Sequence, residues 1–111
     1  PVPHTAADIL QSLPQRFLPE KAGNLETVFH FDISGPGGGQ FTATIKKGQC
    51  SVERGLNGEA KCIVKGSDRT YVDVELGITK AEEAFMTGKI RISDLAEMMQ
   101  FTKMFRRFPK P

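Results

Sequence analysis

A chain of 111 residues with a formal net charge of +2, 39% hydrophobic and 25% charged residues has the size and composition of one soluble globular unit. Roughly two thirds of the surface of an unfolded chain of this size can be buried on folding, so a core needs no metal or disulfide staple. The weak charge gives little reason to expect nucleic acid as a partner, and no apolar run approaches the roughly 18 residues of a membrane span.

The start, Pro1-Val2-Pro3-His4-Thr5, lacks the charged-then-apolar order of a secretory signal. Beginning at Pro1 rather than Met is compatible with processing, trimming or excision from something larger. Residues 1–111 read as one domain, with 1–22 as a helical N-terminal segment. Thr5 stands as a cap before Ala6, Ile9, Leu10 and Leu13, which recur at helical spacing. Pro14 and Pro19 bracket a short second turn with Phe17 and Leu18.

Residues 25–33 alternate, with Phe29, Phe31 and Ile33 on one side and His30 and Asp32 on the other, the mark of a half-buried strand. Gly35-Pro36-Gly37-Gly38-Gly39 signals a turn. It lacks the Lys-Ser/Thr of a phosphate-binding loop and leads into a strand rather than a helix. Phe41, Ala43 and Ile45 alternate with Thr42, Thr44 and Lys46 in a second strand, which turns at Lys47-Gly48. Residues 50–54 and 60–65 read as strands three and four, antiparallel around Asn57-Gly58. That register sets Val52 against Ile63 and Glu53 against Cys62, with Cys50 three positions out of step on the opposite face. Thiols so placed stay reduced, which favours the cytoplasm.

The period then changes. Ser67 caps a helix with Tyr71, Val74 and Leu76 inward, closed by Gly77. Thr79-Lys80-Ala81-Glu82 fits a capping box, and its helix carries Ala84, Phe85 and Met86 as far as Gly88. Residues 89–93 alternate again, with Ile90 and Ile92 on one side, as a fifth strand. Asp94 caps the last helix.

The stretch 85–108 holds all 4 methionines and half of the 8 phenylalanines. Met is long, unbranched and polarizable, and adapts to irregular apolar shapes. At about 100° per residue, Leu95, Met98, Met99, Phe101, Met104, Phe105 and Phe108 spread over roughly 220° of a helix. A helix resting on one sheet needs little more than about 100°. A ligand, a second helix or another subunit should therefore cover the rest, with Glu97 and Arg106 near the margins of the arc.

Chemistry is sparse by comparison. His4 and His30 are far apart, no Cys or His pair has zinc spacing, and no serine has a nucleophile-elbow context. Glu82, Glu83 and Glu97 read as solvated helix faces. No catalytic residue, metal ligand or cofactor is expected. Lys103, Arg106, Arg107 and Lys110 form a basic end suited to solvent or to lipid phosphates.

The order of these pieces resembles the sterol carrier protein 2 family, the non-specific lipid-transfer domain. The likeness runs over residues 23–108. It rests on Phe29-His30-Phe31-Asp32-Ile33, then Gly35-Pro36-Gly37-Gly38 and Phe41-Thr42-Ala43-Thr44-Ile45-Lys46-Lys47-Gly48. Ala60-Lys61-Cys62-Ile63-Val64 with Ser67-Asp68 adds to it, and Ala84-Phe85-Met86-Thr87-Gly88-Lys89-Ile90-Arg91-Ile92 is its most specific part. The resemblance implies an α+β fold: a five-stranded, largely antiparallel sheet with helices on one face, enclosing an apolar tunnel. It implies non-catalytic binding or transfer of fatty acid, acyl-CoA, sterol or phospholipid. The implied lining is Phe31, Ile33, Tyr71, Val74, Phe85, Met86, Ile92, Leu95, Met98, Met99 and Phe101. Lys89, Arg91 and Arg106 are candidates to hold a headgroup. Three departures stand out. Ser93-Asp94 is one residue shorter than the family's usual step, the N-terminal region is broken by prolines, and the terminal Phe108-Pro109-Lys110-Pro111 lacks a peroxisomal tripeptide. The last favours a cytoplasmic, bacterial setting. Transient contact with a membrane surface fits the basic end. The competing reading is a structural or dimerisation module that seals Phe105 and Phe108 in a homodimer; an enzyme with an unrecognised site is a distant third.

Overall fold

A computed structural model describes residues 4–109. In chain order its elements are α1 (Ala6–Gln11), α2 (Leu13–Arg16), α3 (Pro19–Ala22), β1 (Thr27–Ser34), β2 (Gly39–Lys46), β3 (Gln49–Arg54), β4 (Cys62–Ser67), α4 (Asp68–Glu75), α5 (Ala81–Met86), β5 (Ile90–Ile92) and α6 (Leu95–Thr102). The strands make one sheet of order β3-β2-β1-β4-β5. All pairings are antiparallel except β1 with β4, which run parallel. The α+β class and the largely antiparallel five-stranded sheet are as the sequence implied.

Alternation decides which face is dry. Phe29 lies between Ala43 and Cys62, and Phe31 between Phe41 and Val64. All six are buried, with Ile9 and Leu10 of α1, Tyr71 of α4, and Met98 and Phe101 of α6 packed into the same core. Burying a Phe of this kind contributes about 1.5–3 kcal/mol.

Strand order is where the sequence reading is corrected. β3 and β4 do not form a hairpin around Asn57-Gly58: they lie on opposite sides of the β1–β2 pair. Residues 55–61 instead cross the outer face of the sheet. Thr42 fastens them, its hydroxyl donating to the Gly55 carbonyl (2.7 Å) and accepting from the Asn57 N–H (2.9 Å). His30 Nε2 lies 2.9 Å from the Asn57 carbonyl oxygen. This crossing buries His30 and Thr42, both of outward parity. It also separates Cys50, opposite Ile45 on β3, from Cys62, opposite Phe29 on β4, and both thiols are free. Thr42→Val is expected to cost about 2 kcal/mol, since a buried N–H and a carbonyl lose their partner. Urea unfolding should show the loss, and limited proteolysis should begin within 56–60.

Three predicted caps are present. Thr5 Oγ1 accepts from Asp8 N–H, Ser67 Oγ from Thr70 N–H and an Asp94 carboxylate oxygen from Glu97 N–H, at 3.0, 3.1 and 3.1 Å. The capping box does not form. Ile78 and Thr79 N–H groups both donate to the Asp73 carbonyl and close α4, so α5 starts one residue later with Lys80 as an N-cap without a side-chain bond. The β2–β3 turn is Lys47-Gly48 as expected, with both residues at positive φ (53° and 72°), the two-residue geometry that suits a twisted hairpin. In the β1–β2 turn a side chain at Gly38 would collide with the Ile33 carbonyl, and the Gly37 N–H donates to Asp68 Oδ2 at 2.7 Å, tying the turn to the start of α4.

Both chain ends differ from the periodicity. The last helix stops at Thr102, so Met104, Phe105 and Phe108 lie beyond it rather than on its arc. Phe17 and Leu18 are not a helical turn. They form an extended link between α2 and α3, and Phe17 bridges antiparallel to Phe105. Leu18 N–H donates to the Met104 carbonyl and Arg106 N–H to the Arg16 carbonyl, each at 2.8 Å. A helix cannot continue where its backbone is already engaged by another segment.

Candidate functional site

The space between the sheet and the helices is organised by aromatic rings. Phe101 of α6 lies nearly flat on Phe29, with ring centroids 4.2 Å apart and planes 22° apart. It also meets Phe31 at 5.9 Å and Phe105 at 4.8 Å. Tyr71 approaches Phe31 edge-on at 6.0 Å, and Phe105 meets Phe17 at 5.6 Å. Offset and edge-on pairs of this kind add about 0.5–1.5 kcal/mol to plain burial.

Of the predicted lining residues, Phe31, Ile33, Tyr71, Met98 and Phe101 come together in this buried layer. Val74, Phe85 and Ile92 are half-buried against it. Met86, Leu95 and Met99 are elsewhere: 84%, 44% and 57% exposed. Leu95 and Met99 are neighbours on the outer side of α6, one helical turn apart. Thus the surplus apolar arc of the last helix is real surface, although narrower than the sequence suggested because the helix ends early.

The headgroup candidates divide. Lys89 and Arg91 line a groove of about 420 Å³ on the far side of the sheet. Arg106 is at the chain-end junction, where its guanidinium donates to the Gln15 carbonyl. A larger surface groove of about 650 Å³ runs between Pro14, Phe17, Pro19 and the β2–β3 hairpin, and contains none of the predicted residues.

Sequence reasoning missed a polar group at the edge of the aromatic layer. Arg16 donates to Ser12 Oγ (3.0 Å), the Arg106 carbonyl (2.9 Å) and the Ile9 carbonyl (3.3 Å), and its guanidinium carbon sits 4.1 Å from the Phe108 ring centre. Burial pushes the Glu75 carboxyl above the usual carboxylate range, against the opposing pull of Arg16 and a Tyr71 hydrogen bond. Burial also drives the Tyr71 phenol well up, reinforced by Glu75. The Cys50 thiol is pushed up to about 11 by burial, with Arg16 opposing. Such a thiol carries almost no thiolate at neutral pH and is a poor nucleophile. Its sequence neighbours do not mark Arg16, because Arg106 and Phe108 reach it from the other end of the chain. Phe29 and Thr27 share the parity of Phe31 and were legible on that ground. Thr27 Oγ1 is buried and has no hydrogen-bond partner among the described residues.

The lead-in to α6 absorbs its shortened sequence. Ser93 pairs twice with Ile63, its N–H donating to the Ile63 carbonyl (3.0 Å) and its Oγ accepting from the Ile63 N–H (2.7 Å), and this extends the β4–β5 ladder. Among the described residues no group of three or more His, Cys, Asp and Glu could hold a metal ion, and no helix is long and apolar enough to cross a membrane.

Solved structures share this arrangement. The stereoselective inverting sec-alkylsulfatase Pisa1 from Pseudomonas sp. superposes with a TM-score of 0.78 at 16% identity, covering 91% of this chain and 16% of that one. The chain therefore spans about a sixth of the alkylsulfatase. Palmitated SCP2L2 from Aedes aegypti matches at TM-score 0.68 and 17% identity over 96% of this chain and 100% of that one. The sterol carrier protein domain 2 of Helicoverpa armigera matches at 0.63 and 22% identity, over 86% and 79%. These likenesses show the fold. No curated protein matches the sequence. Residues 8–106 match the SCP-2 sterol transfer family, and with this sheet order, aromatic layer and last helix the chain belongs to that family.

Proposed function

We propose that the protein binds and transfers an apolar lipid, in a tunnel between the inner face of the sheet and the helices, without catalysing a reaction and without a cofactor. The single observation that carries this reading is the two-sided apolar character of α6: Met98 and Phe101 face the sheet while Leu95 and Met99 are exposed. A helix of this kind can be lifted by a guest and still meet apolar surface. About ten methylenes slid beneath it would gain about 8 kcal/mol, against the about 1.5–3 kcal/mol lost by displacing one Phe. The palmitated Aedes aegypti protein, of the same fold, supports an acyl chain as one such guest. Fatty acid, acyl-CoA, sterol and phospholipid all satisfy the chemistry, and Thr27 Oγ1 offers a polar atom a guest can pair with. Phe31, Ile33, Tyr71, Val74, Phe85, Ile92, Met98 and Phe101 are the residues assigned to the lining, and the two separated thiols suit the cytoplasm.

Native mass spectrometry tests this directly. A lipid adduct should accompany protein purified under native conditions, and fluorescent fatty acids should bind at micromolar concentration. Absence of both sinks the reading. Met98→Glu is expected to abolish uptake while circular dichroism retains the sheet signal. The dimerisation reading has less behind it: Phe105 is buried within its own chain, Phe108 packs under Arg16, and Leu95 with Met99 is a small part of the about 800 Å² per partner of a stable interface.

A further inference from the structure

Lys65 of β4 and Arg91 of β5 are direct cross-strand partners on the outer face of the sheet. Like charges placed opposite one another cost stability, and Asp32, opposite Lys65 on the β1 side, lies outside salt-bridge reach. With Lys89 they line a groove of about 420 Å³, joined by Asp32 and the hydroxyl residues Ser34 and Ser67. The carboxylate of Asp32 accepts from Gln40 Nε2 at 3.4 Å, on the side of β2. The one ion pair among the described residues is Arg69 with Asp73, so Lys65, Lys89 and Arg91 have no carboxylate in salt-bridge reach. Three cations outside any ion pair around one groove suit phosphate oxygens. Two residues before Gly88 of this groove in the chain, at the end of α5, Met86 is 84% exposed, the most exposed of the large apolar side chains among the described residues. Phosphate recognition beside a projecting, flexible apolar side chain is the pattern of a lipid headgroup with its acyl chains below, which a free phosphate ion does not present.

We propose that the α5–β5 corner docks on an anionic phospholipid surface, with Lys65, Lys89 and Arg91 on the phosphates and Met86 in the headgroup–acyl boundary. The inference rests on the lipid-binding reading and names the surface at which lipid would be collected and delivered. Lys89 and Arg91 thus act at a bilayer and not inside the protein.

Sedimentation with equimolar phosphatidylcholine–phosphatidylserine vesicles, against pure phosphatidylcholine vesicles, tests it on the whole chain. Wild type should partition to the anionic vesicles and be released as salt is raised. Lys89→Gln should weaken partitioning about fivefold, and the combined Lys65→Gln, Lys89→Gln, Arg91→Gln variant about a hundredfold, the value of about one basic contact each. Met86→Ser should weaken it further without changing the salt slope. Lys103→Gln makes the same charge change away from the groove and should have a smaller effect than Lys89→Gln. The proposal is overturned by any of three results: equal partitioning to both vesicles, an equal effect of Lys103→Gln and Lys89→Gln, or saturable binding of inorganic phosphate without vesicle binding. The salt series on wild type decides the matter even where the triple variant misfolds. Fluorescent fatty-acid binding in vesicle-free buffer is read separately. Its loss in wild type counts against the carrier reading, and its retention in the triple variant with loss of vesicle binding isolates the docking corner.

Discussion

Phe101→Ala is expected to lower the free energy of unfolding by about 3–5 kcal/mol, the range for removing a buried aromatic ring from a packed core. Phe101 is the hub of the interior, in contact with Phe29, Phe31 and Phe105 at once. Its loss leaves a hole that Met98 and Met104 can only partly fill, and it removes the pairing energy of three ring contacts. In a domain of about 100 residues the midpoint of thermal unfolding should fall by more than about 10 °C. Phe101→Leu, which keeps much of the volume, should recover most of the loss. Met99→Ala on the exposed side of the same helix should stay within about 0.5 kcal/mol of wild type. Denaturant unfolding of the three variants is the check. A cost below about 1 kcal/mol for Phe101→Ala would show that α6 is not seated on the sheet, and the aromatic layer would lose its role.

The second large effect is centred on Arg16. Arg16→Ala removes a guanidinium that donates to Ser12, Ile9 and Arg106, and strips a positive charge from near the half-buried Glu75. Hydrogen bonds to a charged group carry about 1.5–3 kcal/mol, so a loss of about 3 kcal/mol is expected. The loss has a pH signature. Glu75 titrates higher in the fold than in the unfolded chain, so the fold holds its proton more tightly and loses stability as pH rises through that interval. Arg16 is the group that limits this shift. Without it the Glu75 value moves further up and the interval widens, so the Arg16→Ala penalty should be smallest below the ordinary carboxylate range and grow as pH rises above it. Glu75→Gln in the Arg16→Ala background should flatten the extra dependence. Unfolding across that range for the two single variants and the double variant measures the coupling. An Arg16→Ala penalty that does not change with pH would separate the two residues.

The inner face of the sheet was legible because it depends on alternation alone. Phe29, Phe31, Ile33, Phe41, Ala43 and Ile45 occupy the face their spacing assigned. Strand order was not, because alternation says which way a side chain faces and nothing about the neighbouring strand. Asn57-Gly58 has the composition of a hairpin turn, yet its backbone is committed to Thr42 and His30 on the two strands that lie between β3 and β4. The site followed the same division. Phe31, Tyr71, Met98 and Phe101 meet because parity and helical spacing bring them inward. Met86 is outside because α5 ends at it, and Phe108 is off the last helix because residues 104–106 pair with residues 16–18. Arg16 was hidden for a related reason: its partners Arg106 and Phe108 come from the far end of the chain, outside any short window.

The bridge between Phe17 and Phe105 has a consequence for how the molecule is made. Synthesis runs from the N-terminus, so α1 and α2 emerge well before Met104 to Arg106, the segment that bridges to Phe17. α1 and α2 can dock on α4 and β3 as soon as those elements emerge, but the bridge closes only once residues 104–106 have followed. The same bridge sets the two ends of the fold side by side. A circular permutant that links them and opens the chain at Lys47-Gly48 would then carry the early and late partners in one continuous stretch, and should close its fold without that delay.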